Sequence, residues 1–265
     1  MDAATRALLR HTLRRSALSV RGLLFALLAA FPWAVTLLLR LLVLQGVPVP
    51  LGGVTLYASV VLVYLFGFLL PLSTLVFGVG LLADDREGGT LPYLLGRPIP
   101  RAKLLLTRFA ATAAFLWILN GASAAGAFLL GVSEGGAAAL LREFPFLLLD
   151  LGVLLLGVLA YGALFVLLGL LLKKPLFAGL LIGFGWENLV GYIPGFLKRF
   201  TLLFHLHTLL PHGAGPQGLI QQLLASTESK TAALLFLVFY GVLFVGLACL
   251  AIRRLEASVS ENEEA

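Results

Sequence analysis

Residues Val54 to Leu81 read VTLYASVVLVYLFGFLLPLSTLVFGVGL and contain no charged side chain. The run lacks the polar–apolar alternation of a β-strand. It exceeds the roughly 20 apolar residues that a helix needs to cross about 30 Å of hydrocarbon. A membrane barrel is excluded, because its strands would appear as segments of about 10 alternating residues. The stretch therefore predicts a transmembrane helix.

Five further runs share this character. Hydrophobic residues make up 60% of the chain and charged residues only 12%, whereas soluble domains carry about 25% charge. Lipid must therefore be the solvent for most of the surface. We predict an all-α polytopic membrane protein with six transmembrane helices: Leu23 to Leu42, Val54 to Leu81, Leu104 to Leu130, Phe146 to Leu172, Leu176 to Ile193 and Thr231 to Ile252.

The basic residues predict the orientation of these helices. With the N-terminus inside, fourteen of the 19 Lys and Arg residues face the cytoplasm and five face outward. This split follows the positive-inside rule and places both termini in the cytoplasm. The five outer residues are Arg40, Arg142, Lys198, Arg199 and Lys230. The same distribution explains the net charge of +6 without nucleic acid, and we expect no nucleic-acid partner.

The segments around the spans complete a single membrane domain, residues 1–265. Residues 1–22 alternate leucines with arginines at helical spacing and predict an amphipathic helix on the inner leaflet, in contact with membrane lipids. Residues 194–228 form an outer helical loop between spans five and six. Within it, Phe196 to Leu210 predicts a re-entrant or surface-lying helix. Residues 256–265 are acidic and predict a disordered tail.

The loop from Leu82 to Arg108 carries the most specific motif. It reads LADDREGGTLPYLLGRPIPRAKLLLTR, a charged and proline-broken stretch between two long apolar runs. The acidic residues at its start predict the cap of a short helix through Leu94 and Leu95, which Gly96 and Pro98 end. Such a helix across a membrane hairpin can transmit a push from a soluble partner. The alternative from spacing alone is a solvated hairpin with caps and turns.

The stretches Asp85-Arg-Glu-Gly-Gly-Thr-Leu91 and Leu94-Leu-Gly-Arg-Pro-Ile-Pro-Arg101 resemble the first cytoplasmic loop of type-2 ATP-binding-cassette permeases. Asp85 stands where Glu is usual, Pro100 where Ser is usual and Arg108 where Lys is usual. The span layout, the basic N-terminal helix and the helical outer loop extend the resemblance over most of the chain.

The resemblance implies a permease of a transporter in the bacterial or archaeal cell (inner) membrane, most simply an exporter using alternating access. A separate ATP-binding subunit would dock on residues 83–103, and a second permease subunit would complete a homodimer or heterodimer. The chain lacks the Gly-rich phosphate loop that ends in Gly-Lys-Ser/Thr, so we expect no enzymatic activity, cofactor or bound metal. The implied coupling residues are Asp85, Arg86, Glu87, Gly89, Thr90, Leu94, Pro98 and Arg101.

Polar residues within the spans are candidates for a translocation path. Asn120, Glu187 and Asn188 lie in apolar surroundings, where a charge costs on the order of 3 kcal/mol. For Asn120 the alternative is a hydrogen bond between helices. For Glu187 it is an ion pair with Lys198 or Arg199.

The outer histidines and the paired acids raise two rival functions. His205, His207 and His212 contain donors that bind copper or zinc, although incidental histidines on an apolar helix explain them as well. Asp84 and Asp85 with magnesium fit a lipid-modifying enzyme, but such enzymes need several more spaced acids. A non-transporting scaffold or sensor subunit of an ATP-driven complex remains the main alternative to a transporter.

Overall fold

A computed structural model describes residues 3–46, 53–87, 101–192, 196–210 and 229–263, and every regular element in these ranges is helical. The α-helices are, in chain order, α1 Ala3–Leu18, α2 Val20–Leu44, α3 Gly53–Ser59, α4 Leu70–Glu87, α5 Arg101–Val132, α6 Gly136–Leu171, α7 Pro175–Leu180, α8 Glu187–Tyr192, α9 Leu202–Leu209 and α10 Lys230–Glu263. Two π-helical segments, Val60–Leu69 and Leu181–Trp186, and two 3-10 turns, Ser133–Gly135 and Leu197–Phe200, connect some of them.

The structure confirms the predicted all-α polytopic membrane fold. Within the described ranges, five helices are long and apolar enough to cross a membrane: Val20–Leu44, Gly53–Leu81, Ala102–Val132, Gly136–Leu171 and Lys230–Ile252. Each contains one of the predicted spans. The remaining predicted span, Leu176 to Ile193, coincides with the shorter apolar helix Pro175–Trp186 and its continuation α8. A count of six crossings stays a prediction.

Helix α6 is the centre of the bundle. It packs against α4, α5 and α10, while α2 and α1 pack against α5. Its buried side chains include Leu154, Tyr161 and Phe165, none of which exposes any surface. At the predicted inner end, Leu105, Val166 and Ile252 form a smaller apolar cluster that joins α5, α6 and α10. The four longest helices are therefore held along one continuous core.

The π-helical segment Val60–Leu69 is explained by the proline that follows it. Pro71 has no N–H to donate and its ring crowds the preceding turn, so regular α-helical bonding cannot pass through this position. The backbone N–H of Leu70 bonds instead to the carbonyl of Leu65, five residues earlier. The second π-helical segment lies nearby, because the rings of Phe68 and Phe184 are 6.0 Å apart.

The outer segment Phe196 to Leu210 is not a surface helix. The 3-10 turn Leu197–Phe200 is exposed, but α9 is buried among the long helices. Leu206 is fully buried, and His205 stacks on Phe236 of α10 with ring centroids 3.7 Å apart. Of the two predicted arrangements, the structure has the one in which the helix enters the bundle, since burying its leucines outweighs exposing them at the surface.

The C-terminal segment also differs from its prediction. Helix α10 continues without a break to Glu263, so residues that the sequence predicts to be disordered are helical. Extending an existing helix requires no new nucleus, and Glu and Ala are good helix formers. Acidic composition therefore does not end the helix here. The predicted short helix at Leu219 to Ser226 lies outside the described residues.

A tight elbow separates the amphipathic helix α1 from the first span. Ser19 is the N-cap of α2: its Oγ accepts the backbone N–H of Gly22 at 2.9 Å and donates to the carbonyl of Ser16 at 2.8 Å. A Cβ at Gly22 would lie 2.1 Å from that same Ser16 oxygen. The elbow therefore requires glycine at this position, because backbone atoms leave no room for a side chain.

We expect Gly22→Ala to open the elbow and to reduce the free energy of unfolding by about 1–3 kcal/mol, the usual cost of forcing extra atoms into a packed site. Thermal unfolding of the purified protein in detergent measures the effect. Gly152→Ala is the matched control, since a Cβ at Gly152 meets nothing within 4 Å. Equal melting temperatures for the two variants would contradict the assignment.

Candidate functional site

The predicted coupling segment connects the ends of α4 and α5. The backbone of Asp85, Arg86 and Glu87 forms the last turn of α4, and Arg101 is the first residue of α5. The structure does not describe the residues between them, which include four of the predicted coupling residues: Gly89, Thr90, Leu94 and Pro98. The acids therefore end the second span, whereas the sequence predicts that they begin a separate short helix.

The two helices of this hairpin are in contact near its tip. Arg108 of α5 donates from Nη1 to the carbonyl oxygen of Leu81 in α4, at 3.5 Å. Leu105 of α5 is buried, and α4 and α5 pack along their lengths. Both helices also pack on α6. A force on the hairpin would consequently reach the central helix of the bundle.

Glu187 is the most highly connected acidic side chain that the structure describes. It is 3% exposed. Its Oε1 accepts the backbone N–H of Leu202 at 3.1 Å, and its Oε2 accepts the N–H of Leu203 at 2.9 Å and the hydroxyl of Tyr161 at 3.0 Å. One carboxylate therefore joins α8, α9 and α6.

This arrangement caps the start of α9. The first N–H groups of a helix have no partner within the helix, and a carboxylate near them is favoured by the helix dipole. Thr201 adds a second cap, because its Oγ1 accepts the N–H of Phe204 at 3.4 Å. The π-helical segment before Glu187 ends with its own N–H bonded to the carbonyl of Ile182. That irregular turn sets the direction in which the carboxylate points.

The predicted ion pair of Glu187 with Lys198 or Arg199 is wrong. The amino group of Lys198 lies over the ring of Phe204, 5.0 Å from its centroid. The backbone carbonyl of Arg199 pairs with Nε2 of His205 at 2.8 Å. Charge alone suggested the partner, but the buried N–H groups of a helix start compete better for an acceptor that has left water.

Asn120 lies in a second polar cluster, between the second and third spans. Its Nδ2 donates to Oγ of Ser73 at 3.3 Å and to the carbonyl of Leu116 at 2.8 Å, and the residue is fully buried. One turn further on, the hydroxyl of Ser123 donates to the carbonyl of Ala29 in the first span at 2.6 Å. These are contacts between helices of one subunit, as the alternative for Asn120 requires. The backbone of Asn188 follows Glu187 in α8.

A third buried acid corrects an expectation from position. Asp150 lies near the predicted outer end of the fourth span, where a charged side chain can reach water. Instead it is fully buried, and its Oδ2 accepts the hydroxyl of Tyr57 at 2.7 Å. This bond joins α6 to α3. Tyrosine at position 57 gave no sign of this role, because aromatic residues are common in membrane spans.

The histidines of α9 point to different neighbours. His205 stacks on Phe236, whereas His207 meets the ring of Phe66 edge-on with centroids 6.4 Å apart. His212 lies outside the described residues. Across the described ranges, no three His, Cys, Asp or Glu side chains cluster as a metal site requires. Side chains two apart on a helix diverge, which accounts for the separation of His205 and His207.

The bundle and its charged hairpin define the class: an all-helical, multi-pass membrane protein. The chain belongs to the family described as ABC-2 family transporter protein, whose model matches residues 9–257. It is therefore a membrane permease subunit of an ABC transporter, a role that implies a partner ATP-binding subunit. The family is a transmembrane domain and not a nucleotide-binding one. No curated protein matches the sequence.

We expect Glu187→Ala to lower the free energy of unfolding by about 3 kcal/mol, because it leaves buried N–H and O–H donors without an acceptor, at about 1–3 kcal/mol each. Glu187→Gln retains one acceptor oxygen and should have a smaller effect. Thermal unfolding in detergent provides the measurement.

Glu143→Gln is the matched control for this test. Its carboxylate contacts Arg142, a largely exposed side chain, at 3.6 Å, so its loss should change stability by less than about 1 kcal/mol. If Glu187→Ala and Glu143→Gln had the same melting temperature, the capping role of Glu187 would be refuted.

Proposed function

We propose that this permease subunit is driven through its α4–α5 hairpin and exports its cargo by alternating access. The observation that carries the proposal is the hairpin itself. An acidic and basic turn closes two long helices that both pack on α6, and the sequence of this turn resembles the coupling loop of type-2 permeases. A push at the hairpin can therefore reach the centre of the bundle. The direction of transport rests on the resemblance.

The proposed coupling surface comprises the end of α4, the start of α5 and the residues between them. Its charged members, Asp85, Arg86, Glu87 and Arg101, suit a polar and reversible contact with a soluble ATP-binding subunit. A second permease subunit, identical or related, would complete the transporter in the bacterial or archaeal cell membrane. Its contact surface would use the exposed apolar faces of the outer helices, which lipid otherwise covers.

Asn120, Glu187 and Asn188 are proposed to act on the translocation path indirectly. The described hydrogen bonds of Asn120 and Glu187 stay within the subunit, where they join helices that would line or gate a path. We propose that these residues fix the positions of the path-forming helices and do not themselves contact cargo. Displacement of α9 relative to α6 would then require the bonds of Glu187 to break.

We expect Glu87→Ala to weaken binding of the ATP-binding subunit at least about ten-fold, because truncating a charge that is paired across an interface typically costs about 2–5 kcal/mol. The measurement is co-purification of the two subunits together with ATP hydrolysis by the complex. Glu134→Ala is the control, since Glu134 lies in the turn at the opposite end of α5. Wild-type binding and hydrolysis in Glu87→Ala would refute the coupling assignment.

A single cysteine at Thr90 tests the orientation on which this proposal depends. In a Cys249→Ala background, Thr90→Cys should react with a membrane-impermeant maleimide in inverted vesicles and not in intact cells. Ala137→Cys, at the exposed start of α6, should show the opposite pattern. Labelling of Thr90→Cys from outside intact cells would place the hairpin on the wrong side of the membrane for an ATPase.

Flux measurements separate transport from the alternative of a scaffold or sensor. A complex that hydrolyses ATP and moves cargo into inverted vesicles is an exporter. Coupled hydrolysis without movement of any cargo would favour the non-transporting role.

A further inference from the structure

A cavity of about 320 Å³ lies at the predicted inner end of the bundle, between α1, the start of α2, α4 and α5. Its volume falls within the range of about 300–1,000 Å³ that is typical of small-molecule sites. The elbow at Ser19 forms one wall, and the end of α4, from Val76 to Leu81, forms another. The cavity is therefore built by four segments that are distant in sequence.

The lining of this cavity is strongly basic. Arg15 and Arg21 reach it from the two sides of the elbow, Arg108 from α5 and His11 from α1. No carboxylate is among the lining side chains that the structure describes. Arginine is suited to oxyanions, because its planar guanidinium donates two parallel hydrogen bonds to phosphate. The charge of the cavity predicts an anionic occupant.

A buried hydroxyl in the same wall provides an independent observation. Thr112 is 4% exposed, and its Oγ1 has no hydrogen-bond partner in the described part of the chain. A buried polar atom without a partner costs free energy that a ligand can recover. The hydroxyl of Thr112 lines the cavity one helical turn beyond Arg108 on the same side of α5.

We propose that this cavity binds a phosphate group, with Arg15, Arg21 and Arg108 balancing its charge and Thr112 donating a hydrogen bond. The source favoured by the surroundings is the headgroup of an anionic phospholipid of the inner leaflet. Val20 lines the cavity and is 75% exposed, and Leu18 and Leu23 beside it are 66% and 61% exposed. These side chains continue from the cavity along α2, where acyl chains would lie. Basic pockets between membrane helices are known to take anionic headgroups.

A bound phosphate would join the elbow to the coupling hairpin. It would contact α1 and α2 on one side and α4 and α5 on the other, close to the turn that ends α4 at Glu87. The lipid would thereby hold the amphipathic helix against the two helices proposed to receive the push from the ATPase. Binding at this site does not depend on transport or on the partner subunit.

The test titrates the purified full-length permease in detergent with dihexanoyl phosphatidylglycerol, dihexanoyl phosphatidylcholine and inorganic phosphate, and it follows the melting temperature. We expect saturable stabilisation by phosphatidylglycerol. Thr112→Val should raise the Kd about ten-fold, since a hydrogen bond to a charged group is typically worth at least that factor. The same variant should unfold without ligand at a temperature close to wild type, because its hydroxyl has no partner to lose.

A charge-matched pair separates a built site from general attraction to a basic surface. Arg15→Gln and Arg108→Gln should weaken binding at least about ten-fold, whereas Arg14→Gln should leave it unchanged. Arg14 is exposed on α1 next to Arg15 but does not line the cavity. Melting of each variant without ligand shows that it is folded. Equal losses in Arg14→Gln and Arg15→Gln would overturn the proposal.

The remaining outcomes identify the source of the phosphate. Equal stabilisation by inorganic phosphate, lost in the same variants, would support a phosphate site and overturn the lipid as its source. Equal stabilisation by phosphatidylcholine would overturn recognition of an anionic headgroup. Absence of binding in wild type, with binding appearing in Asp84→Asn or Asp85→Asn, would show that an acid of α4 fills the cavity and would overturn the proposal.

Discussion

A backbone amide that has left water must find an acceptor within the protein, and the fold of this permease depends on how that requirement is met wherever a helix is interrupted. At Pro71 the requirement is met by π-helical bonding, so the N–H of Leu70 reaches back to Leu65. At the start of α9 the donors lie within the bundle, and the carboxylate of Glu187 accepts two of them. Interruptions of the helices are thus stabilised from a distance, by residues of neighbouring segments.

This constraint gives the buried acids a structural meaning. A carboxylate in apolar surroundings persists when several donors satisfy it. Glu187 receives three hydrogen bonds, and Asp150 receives one from Tyr57. Both bonds to tyrosine hydroxyls connect α6 to another segment. The polar side chains inside the bundle therefore act first as joints between helices, and any role in transport would operate through these joints.

The predicted inner end of the bundle follows a different physical rule. Charges there remain near water and near anionic lipid, so they are free to bind partners and need not pair within the core. The elbow at Gly22 places the arginines of α1 and α2 beside α5, while α4 and α5 present the charged hairpin. The surface that meets the ATP-binding subunit and the surface that meets lipid phosphate are neighbours at this end.

The sequence by itself determined the helical membrane fold, the approximate ends of the long helices and the family, because uninterrupted apolar length and an ordered loop motif are local properties of the chain. It also identified Glu187 and Asn120 as unusual. Only the tertiary structure decided their partners, since the N–H of Leu202 and the hydroxyl of Tyr161 are ordinary groups until folding places them beside a carboxylate. The burial of α9 and the cavity at the elbow were likewise decided by packing between segments distant in sequence, which hydropathy along a single helix does not encode.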